Sequence, residues 1–142
     1  MKKQDYTASI MVNATAQEAF NAINNVPGWW TKDFEGSSAK LNDVFTVRFG
    51  AVFITSKVVE LIPGRKIVWL VLDCNKPWLK NKKEWNGTKM SWEISEKDNK
   101  TQIHFTHVGL VSEVECYGVC SNAWGQYING SLFKLFTEKS NA

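Results

Sequence analysis

The sequence has little arginine. Among its 142 residues only Arg48 and Arg65 carry a guanidinium group, the planar fork that suits phosphates and guanine edges. The net charge of +3 is a mild excess of lysine. The basic run NKPWLKNKKEW from Asn75 interleaves lysine with tryptophan, a combination that could bind single-stranded nucleic acid. Lysine-rich loops of this kind are, however, usually solvated surface. No nucleic-acid partner is therefore predicted.

Signals that direct a chain to a membrane are also missing. The N-terminus MKKQDYTASIMV has two lysines, then polar residues, and no uninterrupted apolar stretch. It predicts neither a signal peptide nor membrane insertion, so the expected location is the cytoplasm. Three cysteines are an odd number without a secreted context, and reduced thiols are expected.

Catalytic and metal-binding signatures are absent as well. No His-Glu-x-x-His, Walker or Gly-x-Ser-x-Gly motif occurs. His104 and His107 are three apart in a predicted strand, so they point to opposite faces and cannot share a metal. Cys116 and Cys120 share a predicted helix face, but no further ligand completes a zinc set, which favours buried thiols. We predict no metal, no cofactor and no catalytic residue, with a Cys120–His107 dyad as the alternative left open.

Aromatic side chains, in contrast, are abundant. The chain has seven Trp, eight Phe and three Tyr, and a chain of this length buries about 68% of its unfolded surface in one domain. Rigid, wide rings suit cores and ligand pockets alike.

The pattern along the chain predicts an α+β fold. DYTASIMVN alternates as a strand, and Thr15 with Glu18 forms a capping box for a short helix. VPGWW breaks that helix. LNDVFTVRFG is a strand, and two hairpins follow, the first turning at Pro63-Gly64 and the second at EKDNK. A long helix is predicted from about Glu113 to Glu138. This order gives a bent antiparallel sheet with helices on one face.

The predicted C-terminal helix contains residues that weaken helices. Gly118, Gly125 and Gly130 lie inside it, and each costs roughly 1 kcal/mol against alanine. We expect these glycines to allow a close approach of the helix to the sheet, or to leave a gap there.

Five segments occur along the chain in the order VPGWW, VVELIPGRKIVW, TKMSWEIS, THVGL and AWGQYINGSLFKLF. Together they resemble the SRPBCC (START-like) superfamily. Within it they resemble the Aha-type branch, which is named for activators of a heat-shock ATPase. The resemblance covers nearly the whole chain. It implies one helix-grip domain over residues 1–142: a curved antiparallel β-sheet wrapped around a long C-terminal helix, with two short helices between the first two strands. It also implies an apolar cavity. Members bind lipids, polyketides and flavonoids, a minority are cyclases or hydrolases, and the branch shares no catalytic set.

The predicted function is binding of a hydrophobic, aromatic or lipid-like small molecule between the sheet and the C-terminal helix. Lys80, Lys82 and Lys83 could attract an acidic ligand, although exposed charges are screened. His107 could hydrogen-bond a ligand, but a structural position in the core or at the rim, with its ring hydrogen-bonded, is favoured. The candidate ligand-binding residues combine rings with polar tips: Trp29, Trp30, Phe34, Trp69, Trp78, Trp85, Trp92, His107, Tyr117, Cys120 and Trp124.

Two other functions remain open. One is an enzyme that cyclises or hydrolyses such a molecule through His107 or Cys120. The other is a stress- or chaperone-related interaction protein in which Trp78 and Trp85 contact a partner or a second copy. A homodimer is compatible with ligand binding.

Overall fold

Seven antiparallel strands form one curved sheet in the computed structural model, which describes residues 5–77, 79–80, 82–111 and 117–140, with side chains through Phe136. The strand order is β1-β7-β6-β5-β4-β3-β2. The strands are β1 (Tyr6–Val12), β2 (Phe34–Gly36), β3 (Val44–Phe49), β4 (Val52–Ile62), β5 (Lys66–Asn75), β6 (Lys89–Lys97) and β7 (Lys100–Val108). The helices are α1 (Ala16–Asn24), α2 (Val26–Trp29), α3 (Tyr117–Gln126), a π-helical segment (Tyr127–Leu132) and α4 (Phe133–Ser140).

The strands follow the predicted alternation. On β6, Met90, Trp92 and Ile94 are buried, whereas the residues between them are half-buried or exposed. The turn from β6 to β7 has positive φ at Asp98 (54°) and Asn99 (66°), the combination that a tight hairpin turn requires. The predicted strand pattern and second hairpin are therefore confirmed.

The two short helices lie between β1 and β2, as predicted. Thr15 Oγ1 accepts from the Glu18 backbone N–H at 3.1 Å, and Glu18 Oε1 accepts from the Thr15 N–H at 2.9 Å. This capping box fixes the start of α1. Pro27 lies in the first turn of α2, where a missing N–H is tolerated. The chain therefore turns into α2 and brings Trp29 and Trp30 into the core.

The C-terminal helical region is continuous from Tyr117, and the predicted start at Glu113 lies outside the described residues. The expectation for its glycines is wrong. A Cβ at Gly118 or Gly130 would meet nothing within 4 Å, and both residues are exposed. A Cβ at Gly125 would come no closer than 3.8 Å, to Tyr6 Oη. The glycines neither allow a tight approach to the sheet nor leave a gap against it.

The hydrophobic core lies between one face of the sheet and the helices. Its fully buried side chains include Ile23 of α1, Trp69 of β5, Phe105 of β7 and Ile128 of the π-helical segment. The described helices include none that is both long and apolar enough to cross a membrane.

Candidate functional site

Six tryptophans form one buried cluster beneath the sheet. Their exposed fractions lie between 0% and 5%. Trp29 stacks on Trp30 with ring centroids 5.6 Å apart, and Trp30 stacks on Trp69 at 6.2 Å. Trp85 stacks on Trp124 at 6.0 Å and an interplanar angle of 6°. The cluster joins the sheet, α2, the loop after β5 and α3 into one aromatic core.

A cavity of about 210 Å³ lies at the edge of this cluster. Strands β3 and β4 contribute Phe49 and Ile54, and the C-terminal helical region contributes Trp124 and Tyr127. Val119 also lines the cavity and is 61% exposed. The cavity therefore lies between the sheet and the helix and reaches the surface beside Val119.

The loop between β5 and β6 supplies another part of the wall. Trp85 lies in a polar, lysine-rich stretch, yet only 5% of it is exposed. It packs edge-on against His107, with ring centroids 4.4 Å apart, and face-to-face against Trp124. Trp30, which follows α2, completes this aromatic side of the cavity.

His107 is a fully buried histidine with both ring nitrogens engaged. The Thr88 hydroxyl donates to the Trp85 carbonyl at 2.6 Å, which leaves Thr88 Oγ1 to accept from His107 Nε2–H at 2.9 Å. Trp124 Nε1–H donates to His107 Nδ1 at 3.0 Å. Burial, and then the charge of Lys76, lowers the pKa of His107 to about 3. The neutral Nε2–H ring therefore holds Trp124 and, through Thr88, Trp85 in place.

One cysteine differs from the expectation of reduced thiols. Cys120, which lines the cavity, is disulfide-bonded, so the expectation of a reduced thiol is wrong for this residue. The expectation used only the number of cysteines and the expected compartment, and neither shows which cysteines lie close enough to pair. The alternative Cys120–His107 dyad is not formed, since Cys120 has no thiol and the His107 nitrogens are engaged. Cys74 is a free, buried cysteine whose pKa is raised by burial. Cys116 lies outside the described residues.

The model of the family described as "Activator of Hsp90 ATPase homolog 1-like protein" matches residues 13–137. The chain belongs to this family. The resemblance to the SRPBCC superfamily and its Aha-type branch is confirmed. No curated protein matches the chain.

Solved structures share the fold at low sequence identity. The Aha1 dimer from Colwellia psychrerythraea has a TM-score of 0.73 and 21% identity, with 88% of this chain and 90% of that chain covered. Mll3558 from Rhizobium loti has a TM-score of 0.75 and 11% identity, covering 94% and 96%. BH1534 from Bacillus halodurans has a TM-score of 0.69 and 13% identity, covering 95% and 99%. These similarities show the helix-grip-like fold.

The cavity includes only part of the residue set that the sequence suggested. Trp30, Trp85, Cys120 and Trp124 line it. The remaining described candidates are placed elsewhere: Trp29, Trp69, Trp92 and His107 are buried in the core, Phe34 stacks on Phe45 near the edge of the sheet, and Tyr117 packs against the core from the start of α3. Trp78 lies outside the described residues.

Sequence reasoning missed several lining residues, and among them Lys76 is the charged one. Its exposed fraction is 7%, and its Nζ lies 4.1 Å from the centroid of the Trp85 ring. Burial lowers the pKa of Lys76. Lys80 and Lys82 are exposed, and Lys83 pairs with Asp73 at 2.7 Å. In the sequence, nothing distinguishes Lys76 from the other lysines of this run.

Proposed function

We propose that this member of the family binds a hydrophobic, aromatic or lipid-like small molecule in the cavity between the sheet and the C-terminal helix, and that it does so in the cytoplasm. The observation that carries the proposal is the cavity of about 210 Å³, with rings on its wall and access to the surface beside Val119. Apolar walls with a few polar groups are the usual form of a small-molecule site.

The size of the cavity limits the guest. An apolar protein cavity of about 150 Å³ holds benzene, so this cavity suits a one- or two-ring group or a short alkyl segment. Removing about 200 Å² of apolar ligand surface from water contributes about 5 kcal/mol at 25 cal/mol per Å². Association costs of at least about 4 kcal/mol oppose that gain. Apolar burial alone therefore gives weak binding, and a polar contact is needed for tight binding.

Native mass spectrometry of protein isolated from its own host tests the proposal. We expect an additional mass that is lost on denaturation and recovered in the extract. Ala123→Phe places a ring into the cavity wall, because Ala123 lines the cavity. Asn122→Phe is the matched control, because Asn122 is exposed on the same helix. The guest should remain in Asn122→Phe and be lost in Ala123→Phe; a bare wild-type protein would count against the proposal.

A homodimer is the second candidate, since the Colwellia structure is described as a dimer. Trp85 cannot form the contact between two copies, because its side chain is buried within its own chain. Light scattering during size-exclusion chromatography separates a mass near 16.1 kDa from twice that value. A single-chain mass at all concentrations would remove this candidate. For the hydrolase or cyclase alternative, the engaged state of His107 and Cys120 removes the proposed dyad.

A further inference from the structure

The wall of the cavity has one charge sign. Among the described lining residues, Lys76 is the one charged side chain, and none is an aspartate or glutamate. We propose that the bound molecule is an aromatic carboxylate whose acid group pairs with Lys76. This inference rests on the proposed function and narrows its ligand class.

The position of Lys76 makes it suitable for that role. Its exposed fraction is 7%, and its ammonium group lies against the Trp85 ring, which itself lines the cavity. The ring face attracts the cation and fixes it at the wall. An ammonium group has three donors, so it can keep its existing neighbours and still donate a hydrogen bond to a carboxylate oxygen.

Burial makes this lysine more selective than a surface lysine. A charge pair on a water-poor wall is stronger than the same pair in solvent, where salt screens it. A carboxylate that enters an apolar cavity needs a cationic partner to offset the loss of its hydration. A neutral ligand of the same shape offers that cation only a dipole, which is a weaker partner than a carboxylate. The cavity should therefore discriminate between an acid and its neutral analogue.

A second polar side chain at the cavity can donate a hydrogen bond as well. Tyr127 lines the cavity, and burial raises the pKa of its hydroxyl, so that it keeps its proton at neutral pH. Tyr127 can therefore donate a hydrogen bond to a ligand that brings acceptor oxygens.

Calorimetric titration with 2-naphthoic acid and 2-naphthamide tests the inference, because the two probes share their rings and differ in charge. We expect wild type to bind the acid at least about tenfold more tightly than the amide. Lys76→Met should abolish the difference and keep the affinity for the amide, because the methionine stem still covers Trp85. Lys82→Met is the matched control: it removes the same charge from the same loop at an exposed position and should leave the preference unchanged.

The outcomes separate the inference from the proposed function. Equal binding of both probes by wild type, a comparison that needs no variant, would overturn the inference and leave the proposed function standing. Binding of neither probe would also overturn it, and the native mass spectrum would then decide on the proposed function. A neutral guest in the host extract would refute the carboxylate directly.

Discussion

Acid should weaken the fold through His107, and the hydrogen bonds of this ring allow the effect to be worked out. The neutral ring donates to Thr88 and accepts from Trp124. A proton added at Nδ1 would remove the acceptor that Trp124 needs and would place a charge in the core, beside the positive Lys76. The native state therefore resists protonation, with a pKa of about 3.

The size of the effect follows from linkage. In the unfolded chain the histidine pKa is about 6.5. Above that pH both states are neutral, and between about 6.5 and 3 only the unfolded chain takes up the proton. The free energy of unfolding thus falls as the pH falls through this window. At pH 5 the loss is about 2 kcal/mol, and by pH 3 it approaches about 5 kcal/mol, since one pH unit is worth about 1.4 kcal/mol.

Urea unfolding at pH 7.5 and pH 5.0 measures this loss. His107→Gln cannot take up the proton in either state, so wild type should lose about 2 kcal/mol more than this variant between the two pH values. The carboxylates of Asp43 and Asp73, whose pKa values are lowered by hydrogen bonds, are common to both proteins and cancel. His104→Gln is the control, because His104 lies on the opposite sheet face and bonds to Ser9.

Two results would refute this reasoning. One is an equal loss of stability in wild type and His107→Gln. The other would come from long-range ¹H–¹⁵N NMR of the His107 ring. We expect this measurement to show a protonated Nε2 and an unprotonated Nδ1 at pH 5. A doubly protonated ring in folded protein at pH 5 would mean that the network around His107 is not the one described.

Three further predictions concern stability and redox state. Gly130→Ala should raise the free energy of unfolding by about 0.4–1 kcal/mol, because the added methyl group meets open space; chemical denaturation would show it, and a destabilised variant would indicate a close contact. Thr15→Ala should cost about 1 kcal/mol through loss of the cap to Glu18, and an unchanged denaturation midpoint would contradict the cap. Alkylation of unfolded, unreduced protein should label Cys74 and leave Cys120 unlabelled in the peptide mass map; labelled Cys120 would restore the expectation of reduced thiols.

Local signals in the sequence predicted much of the fold. The alternation Met90, Trp92, Ile94 specifies which face of β6 is buried, and Thr15 with Glu18 specifies where α1 begins. These signals work because neighbouring residues determine the hydrogen bonds and faces involved. The family resemblance supplied the arrangement of the sheet around the C-terminal helix.

The site was less predictable, because it depends on contacts between distant segments. Trp85 lies among lysines, and its burial comes from Trp124 and His107, which are 39 and 22 positions further along the chain. Lys76 lies in the same loop and is buried against the Trp85 ring. No local sequence pattern distinguishes it from the exposed lysines nearby. The prediction for the helix glycines was wrong for a related reason. Their effect on helix stability can be read from the local sequence, but whether a distant segment packs against them depends on the tertiary structure.

The stacked tryptophans also give the molecule an optical property. Indole rings this close together exchange excitation energy, so light absorbed at Trp29, Trp69 or Trp92 can be emitted from a neighbour. Trp30, Trp85 and Trp124 belong to the same network and line the cavity. Near-ultraviolet circular dichroism and fluorescence of the unlabelled protein should therefore respond to a guest through the entire array, and the core itself becomes a reporter of occupancy.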